Sequence, residues 1–267
     1  MTKPMTKPMT KPMTKPMTTF RYDAAILERF PAITGGVVLA RGVRNGPTPE
    51  PLRAAYQEEQ RATLARIGET PLSQLPTLAA WRGAFRRFGV DPTQCRSAAE
   101  ALLRRLTKKG DIPSINALVD LGNLISIRYA LPVAIFDTRA LTGPLTVCFA
   151  TGAERYTPLG QPDVTEHPTA GEVVFRDAAG LVFAERWCWR QSDQSAARDD
   201  TTAVVVTVEA QHDGGRGEVE AALADLLTLL ERYAGGRFNA DILDAHHPAL
   251  SDDTDATDDA AVGGTGR

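Results

Sequence analysis

The spacing of apolar residues changes character at Pro132, and no other feature constrains the fold as strongly. Before it, apolar residues recur at three- and four-residue steps, which puts them on one face of a helix. Leu78, Trp81, Phe85 and Phe88 form such a stripe on a helix ending near Gly89. Ser97-Ala-Ala-Glu100 is a capping box that opens the next helix, with Leu102, Leu103 and Leu106 inward and Gly110 at its end. Ser114 is placed to cap a third helix reaching about Tyr129. After Pro132 the apolar residues come in short extended runs rich in Val, Phe and Trp, punctuated by Gly and Pro. Val133 to Phe136, Leu145 to Phe149, Glu172 to Arg176, Leu181 to Trp189 and Ala203 to Val208 read as strands. A last helix runs from about Glu218 to Tyr233 and stops at Gly235-Gly236. Helices, then strands, then a helix predict an α+β fold: a mixed or antiparallel sheet flanked by helices, not a doubly wound parallel sheet.

Four segments follow. Residues 1–19 hold the MTKP repeat, whose Pro at every fourth position blocks a helix; disorder is expected there. All five methionines lie at the period of this repeat and Met17 follows its last unit, which points to Met17 as an alternative start. Residues 20–74 read as an N-terminal appendage, a short β segment at Ile33 to Val43 and a helix from Leu52 to Ile67. Residues 75–236 form the main domain. Residues 248–267 are an Asp-, Thr-, Ala- and Gly-rich tail expected to be disordered.

Several function classes are disfavoured. No uncharged run reaches the roughly 18 apolar residues of a membrane span, and no apolar signal region begins the chain, so a cytoplasmic protein without a membrane partner is expected. The three cysteines, Cys95, Cys148 and Cys188, include no C-x-x-C pair, which fits a reducing compartment. The four histidines have no ligand spacing, and no metal or cofactor is expected. Phosphate-binding loops and nucleophile elbows are missing as well.

Two clusters carry chemistry. From Trp81 to Lys109 there are eight cations (Arg82, Arg86, Arg87, Arg96, Arg104, Arg105, Lys108 and Lys109) against two acids, Asp91 and Glu100. Arg82, Arg86, Arg104, Arg105 and Lys108 are the candidate phosphate contacts; the alternative is an ordinary solvated face. The second cluster is Asn116, Asp120 and Asn123, which share a helix face at steps of four and three. Either they bond to neighbouring loops or they line a small-molecule pocket. Trp187, Trp189 and Arg190 end the longest strand candidate, where the two rings either floor a pocket or pack in the core.

Several motifs in fixed order carry a resemblance. They are Trp81-Arg-Gly-Ala-Phe, Gly89-Val-Asp-Pro, Ser97-Ala-Ala-Glu-Ala-Leu-Leu-Arg-Arg and Ile112-Pro-Ser-Ile-Asn-Ala-Leu-Val-Asp-Leu-Gly-Asn, then Leu131-Pro-Val, Phe136-Asp137, Gly171-Glu172 and Trp189-Arg190. From about Leu75 to Gly235 the chain resembles the B3/B4 domain of the phenylalanyl-tRNA synthetase β subunit, and the free-standing members of that group more closely. In the synthetase the domain hydrolyses tyrosine wrongly attached to phenylalanine tRNA. The resemblance therefore implies a B3/B4-like fold, a tRNA or aminoacyl-tRNA partner, and a pocket for an amino acid esterified to the tRNA 3′ end. Asn116, Asp120, Asn123, Glu172, Trp189 and Arg190 are the candidate pocket residues. Asn123 keeps the Asn of the synthetase pattern, whereas Gly122 replaces a Thr and Ala134 stands where a His would be. No aminoacylation domain or anticodon-binding module is recognisable, so a complete phenylalanyl-tRNA ligase is not expected.

Three functions remain open at this stage: a trans-acting aminoacyl-tRNA deacylase, a non-catalytic tRNA or amino-acid binding module, and another small-molecule enzyme on the same scaffold.

Overall fold

The structure is a computed structural model, and it describes residues 18–252. The expectations for the MTKP repeat and for most of the acidic tail lie outside the described residues.

Among the described residues, ten strands and six α-helices make an α+β fold. The strands form two sheets rather than one. The first is four-stranded and antiparallel, in the order β3 (Val133–Asp137), β8 (Ala203–Ala210), β2 (Thr34–Arg41), β9 (Arg237–Leu243). The second is six-stranded and mixed: β10 (Ala249–Ser251), β1 (Thr19–Tyr22), β4 (Leu145–Phe149), β5 (Val173–Arg176), β6 (Val182–Glu185), β7 (Arg190–Gln191). Only the β1–β4 pair is parallel in it.

The strand Thr34–Arg41 explains why two cores form. Its side chains alternate between faces, and both faces are buried. Val38 and Ala40 join Ile135, Val204, Val206 and Val208 beneath the helices α2 (Glu50–Ile67), α4 (Ala98–Lys109), α5 (Ala117–Tyr129) and α6 (Gly215–Tyr233). Val37 and Leu39 face the other way, onto Phe20, Val147, Phe175 and Phe183 of the second sheet. The short helix α1 (Ala24–Arg29) and α3 (Pro76–Arg87) close this second core with Ile26, Trp81 and Phe85. A strand buried on both faces reads as a continuous apolar run, which is what Val37-Val-Leu-Ala is.

That strand also corrects the domain reading. Residues 20–74 are not an appendage: β2 pairs with β8 from Thr34 to Arg41 and with β9 from Gly35 to Arg41, at the centre of the sheet. The tail boundary at residue 248 is likewise too early, because Ala249–Ser251 is a strand paired with β1. Two local expectations change. The third helix is capped by Asn116, whose Oδ1 accepts from the Val119 amide at 3.0 Å, not by Ser114. The expected strand Leu181 to Trp189 stops at Glu185 and turns. No helix among the described residues is long and apolar enough to cross a membrane.

Candidate nucleic-acid interface

The turn after β6 builds the site. Arg186 and Trp187 both take left-handed backbone conformations, with φ of 47° and 61°. Such a conformation costs a non-glycine residue about 1–2 kcal/mol, so something must hold it. Trp187 does: its ring is fully buried, edge-on to Trp81 and Phe30, and its indole N–H donates to Glu209 Oε1 at 3.2 Å. With Trp187 fixed inward, the chain reverses and Trp189 emerges partly exposed on the surface. The two indoles therefore do not share a face, and only Trp189 can meet a ligand.

Helix α4 forms the opposite wall. Ser97 Oγ accepts from the Glu100 amide at 3.3 Å, which is one half of the expected capping box; the Glu100 carboxylate accepts from the Arg82 guanidinium. Leu103 and Leu106 point into the core, which leaves Arg104, Arg105, Lys108 and Lys109 outside. The Ala98 amide donates to the Cys188 carbonyl at 2.8 Å and ties the helix start to the turn. Between them lies a cleft of about 470 Å³ lined by Arg96, Ala101, Arg104, Arg105, Lys108, Lys109, Trp189 and Arg190. The guanidiniums of Arg186 and Arg190 lie over the Trp189 ring, 4.3 and 4.2 Å from its centroid. Glu172 Oε1 holds Arg186 from behind at 3.1 Å.

The cleft is poorly neutralised. Arg96 lies 3.7 Å from Glu100, and Arg105 reaches the exposed Asp111 at 3.5 Å. Among the described residues no carboxylate pairs with Arg104, Lys108, Lys109 or Arg190 within 4.0 Å. Like charges gathered around a half-buried indole do not serve folding, but they do suit polyanion binding with base stacking.

The sequence candidates divide. Arg104, Arg105, Lys108, Trp189 and Arg190 meet in the cleft, although the sequence assigned them to two different roles. Arg82 does not reach it: its guanidinium forks onto Glu100, with Nε–Oε2 at 2.9 Å, and Glu100 is 2% exposed. Arg86 is exposed but lies outside the lining. Asn116, Asp120 and Asn123 lie outside the cleft lining, and the first two are engaged elsewhere. The Asn116 amide donates to the Ala197 carbonyl at 3.1 Å. Asp120 is fully buried and accepts from Thr48 Oγ1 at 2.6 Å, from the Ile115 amide at 2.9 Å and from Ser114 Oγ. Asn123 is half-buried near the Tyr56 hydroxyl, which has no hydrogen-bond partner among the described residues. Bonding to neighbours, rather than lining a pocket, accounts for Asn116 and Asp120.

Gly122 has a steric cause. A Cβ there would stand 2.9 Å from Ile135 Cδ1 and 3.5 Å from Val133 Cγ1, so helix α5 and strand β3 touch where the synthetase pattern carries a Thr. Sequence reasoning missed Arg186, and it counted the half-buried Arg96 in the basic segment without singling it out as part of the cleft. The available signal was the arginine on each side of the Trp-Cys-Trp triplet at 187–189.

Behind the turn lie two more carboxylates. Glu172 is 7% exposed and its Oε2 has no hydrogen-bond partner. Glu185 is 6% exposed, and burial, with help from Glu172 and Glu166, pushes its carboxyl up to about 6 against the pull of Arg186.

The profile of the B3/4 domain matches residues 80–235, more than half of the chain. The chain belongs to the B3/4 domain family. Among solved structures, this B3/4 protein is similar to an N-terminal fragment of the phenylalanyl-tRNA synthetase β subunit from Pyrococcus horikoshii, with 14% identity and a TM-score of 0.42. The match covers 83% of this chain and 50% of the fragment, so the B3/4 chain spans about half of that fragment's length. No curated protein matches the sequence.

Proposed function

We propose that this B3/4 protein binds the acceptor end of tRNA in the cleft between α4 and the β6–β7 turn. The observation that carries the reading is Trp189 set among unpaired cations. Arg104, Lys108, Lys109 and Arg190 take successive phosphates, and the Trp189 ring takes an unpaired base of the single-stranded end. Charge supplies most of the affinity and the ring favours single strands over duplex, because only an unstacked base offers its face. The test is binding of fluorescent tRNA and of a tRNA lacking its single-stranded 3′ end, titrated across salt. The reading expects tighter binding of the intact tRNA and a steep salt slope. Equal affinity for the two, with a shallow slope, overturns it.

A second reading, ester hydrolysis on a mischarged tRNA, is favoured by the carboxylate pair behind the turn. Glu172 has a buried oxygen without a hydrogen-bond partner, and burial pushes the Glu185 carboxyl up to about 6, towards the range in which a general base works best. Deacylation assays over a panel of charged tRNAs decide it. Release of one amino acid well above the spontaneous rate supports hydrolysis, whereas binding without release leaves a non-catalytic module.

A further inference from the structure

Strand β9 ends its sheet. It pairs with β2 on one side, and no described strand pairs with the other. The Ile242 amide donates to its neighbour's Asp241 Oδ1 at 2.7 Å, so it points away from β2. Amides alternate along a strand, so those of Phe238 and Ala240 point outward too. An open edge of this kind is a template for another strand.

The side chains on this edge are suited to a specific partner. Phe238, Ala240 and Ile242 pack against the helix-side core but remain partly exposed. Arg237 and Asp241 are exposed. The run Arg237-Phe-Asn-Ala-Asp241 is charge-complementary to itself when reversed about Asn239. An antiparallel copy centred there sets Arg237 opposite the partner's Asp241, and Asp241 opposite the partner's Arg237. Phe238 then faces the partner's Ala240, with both outward amides in the ladder. Centring one residue later would place Arg237 opposite an apolar Leu and lose both ion pairs, so the charges fix the register. The present partner of Asp241, His247 at 3.1 Å, is itself 53% exposed, and a pair this open to water is easily exchanged.

We propose that β9 is a dimerisation edge: a second copy of this chain adds β9 to β9 across a two-fold axis at Asn239, joining the two four-stranded sheets. The contact is isologous and closed, so it uses up β9 and leaves β3 as the outer strand at each end of the joined sheet.

The experiment uses the full chain in analytical ultracentrifugation over a micromolar concentration series. The wild type is expected at twice the 28.8 kDa chain mass. Arg237→Asp and Asp241→Arg each set like charges opposite one another and are each expected to be monomeric. Circular dichroism checks that both remain folded. An equimolar mixture of the two variants pairs opposite charges at both positions and is expected to return to the dimer mass. A wild type that stays monomeric throughout overturns the proposal. So does a dimer that survives either single reversal, or a mixture that stays monomeric.

Discussion

The Trp187 indole and the Glu209 carboxylate meet inside the second core, 3.2 Å apart, with the Tyr22 hydroxyl on the same Oε1 at 2.7 Å. Glu209 is 1% exposed, and no cation answers its charge there. Burial pushes its carboxyl from 4.5 up to about 7, while the two hydrogen bonds pull the other way. This contact holds the ring that holds the turn, so the cleft depends on a group it never touches.

Stability should therefore fall as pH rises from near 4.5 to near 7. In that window the unfolded chain has lost the Glu209 proton while the folded chain keeps it, and above it the loss levels off. The full effect is on the order of 3 kcal/mol at about 1.4 kcal/mol per pH unit. Glu209→Gln keeps an acceptor for Tyr22 and Trp187 without the charge. Urea melts at pH 5 and pH 8 should show a smaller drop for the Gln variant; equal drops in both proteins would refute the assignment.

Gly122→Thr should destabilise the fold by about 1–3 kcal/mol, because the new side chain meets Ile135 Cδ1 and Val133 across a closed helix–strand contact. Adding Ile135→Ala opens that space, and the double variant should lose less than the sum of the two single losses. Strict additivity in thermal melts would show that the two residues do not share the contact.

Asp120 and Arg82 are expected to matter for folding alone. Asp120→Ala leaves the buried Thr48 hydroxyl without its acceptor, takes the same acceptor from the Ser114 hydroxyl and the Ile115 amide, and should cost about 1–3 kcal/mol. Arg82→Ala leaves Glu100 with only Arg96, at 3.7 Å, and should cost about 3 kcal/mol. At a temperature where both variants remain folded, their tRNA affinity should equal the wild type's. A large fall in affinity would return either residue to the binding site.

How far the sequence could be read follows from whether a signal was local. The Ser97 half of the capping box and the stripe at Trp81 and Phe85 depend on neighbours within one or two turns, and both appear where expected. Strand β9 was missed although Arg237-Phe-Asn-Ala-Asp-Ile alternates polar and apolar residues, because Phe238 and Ile242 are the strand's only strong β formers before Leu243; its conformation rests on pairing with β2, about two hundred positions away. The split into two sheets was hidden for the same reason. At the site, the cations of α4 were evident, but their meeting with Trp189 was not. That meeting depends on two left-handed residues in a row, and neither is a glycine or asparagine.

The sharpest separation of roles concerns the cleft itself. Lys108→Glu with Lys109→Glu reverses two solvent-facing charges on the last turn of α4, where no carboxylate depends on either. Folding should be little affected. Affinity for tRNA should fall more than tenfold at low salt, and the slope of log affinity against log salt should become shallower by roughly one or two, since each lost phosphate contact releases about one fewer counterion. Trp189→Ala should behave differently. It removes a stacking surface valued at about 1–3 kcal/mol per base, so affinity should drop roughly tenfold while the salt slope stays nearly constant. Paired titrations of the two variants between low and physiological salt read both numbers at once. If Trp189→Ala flattens the slope as the lysine reversals do, the indole is acting only by placing Arg190, and the base-stacking role is wrong.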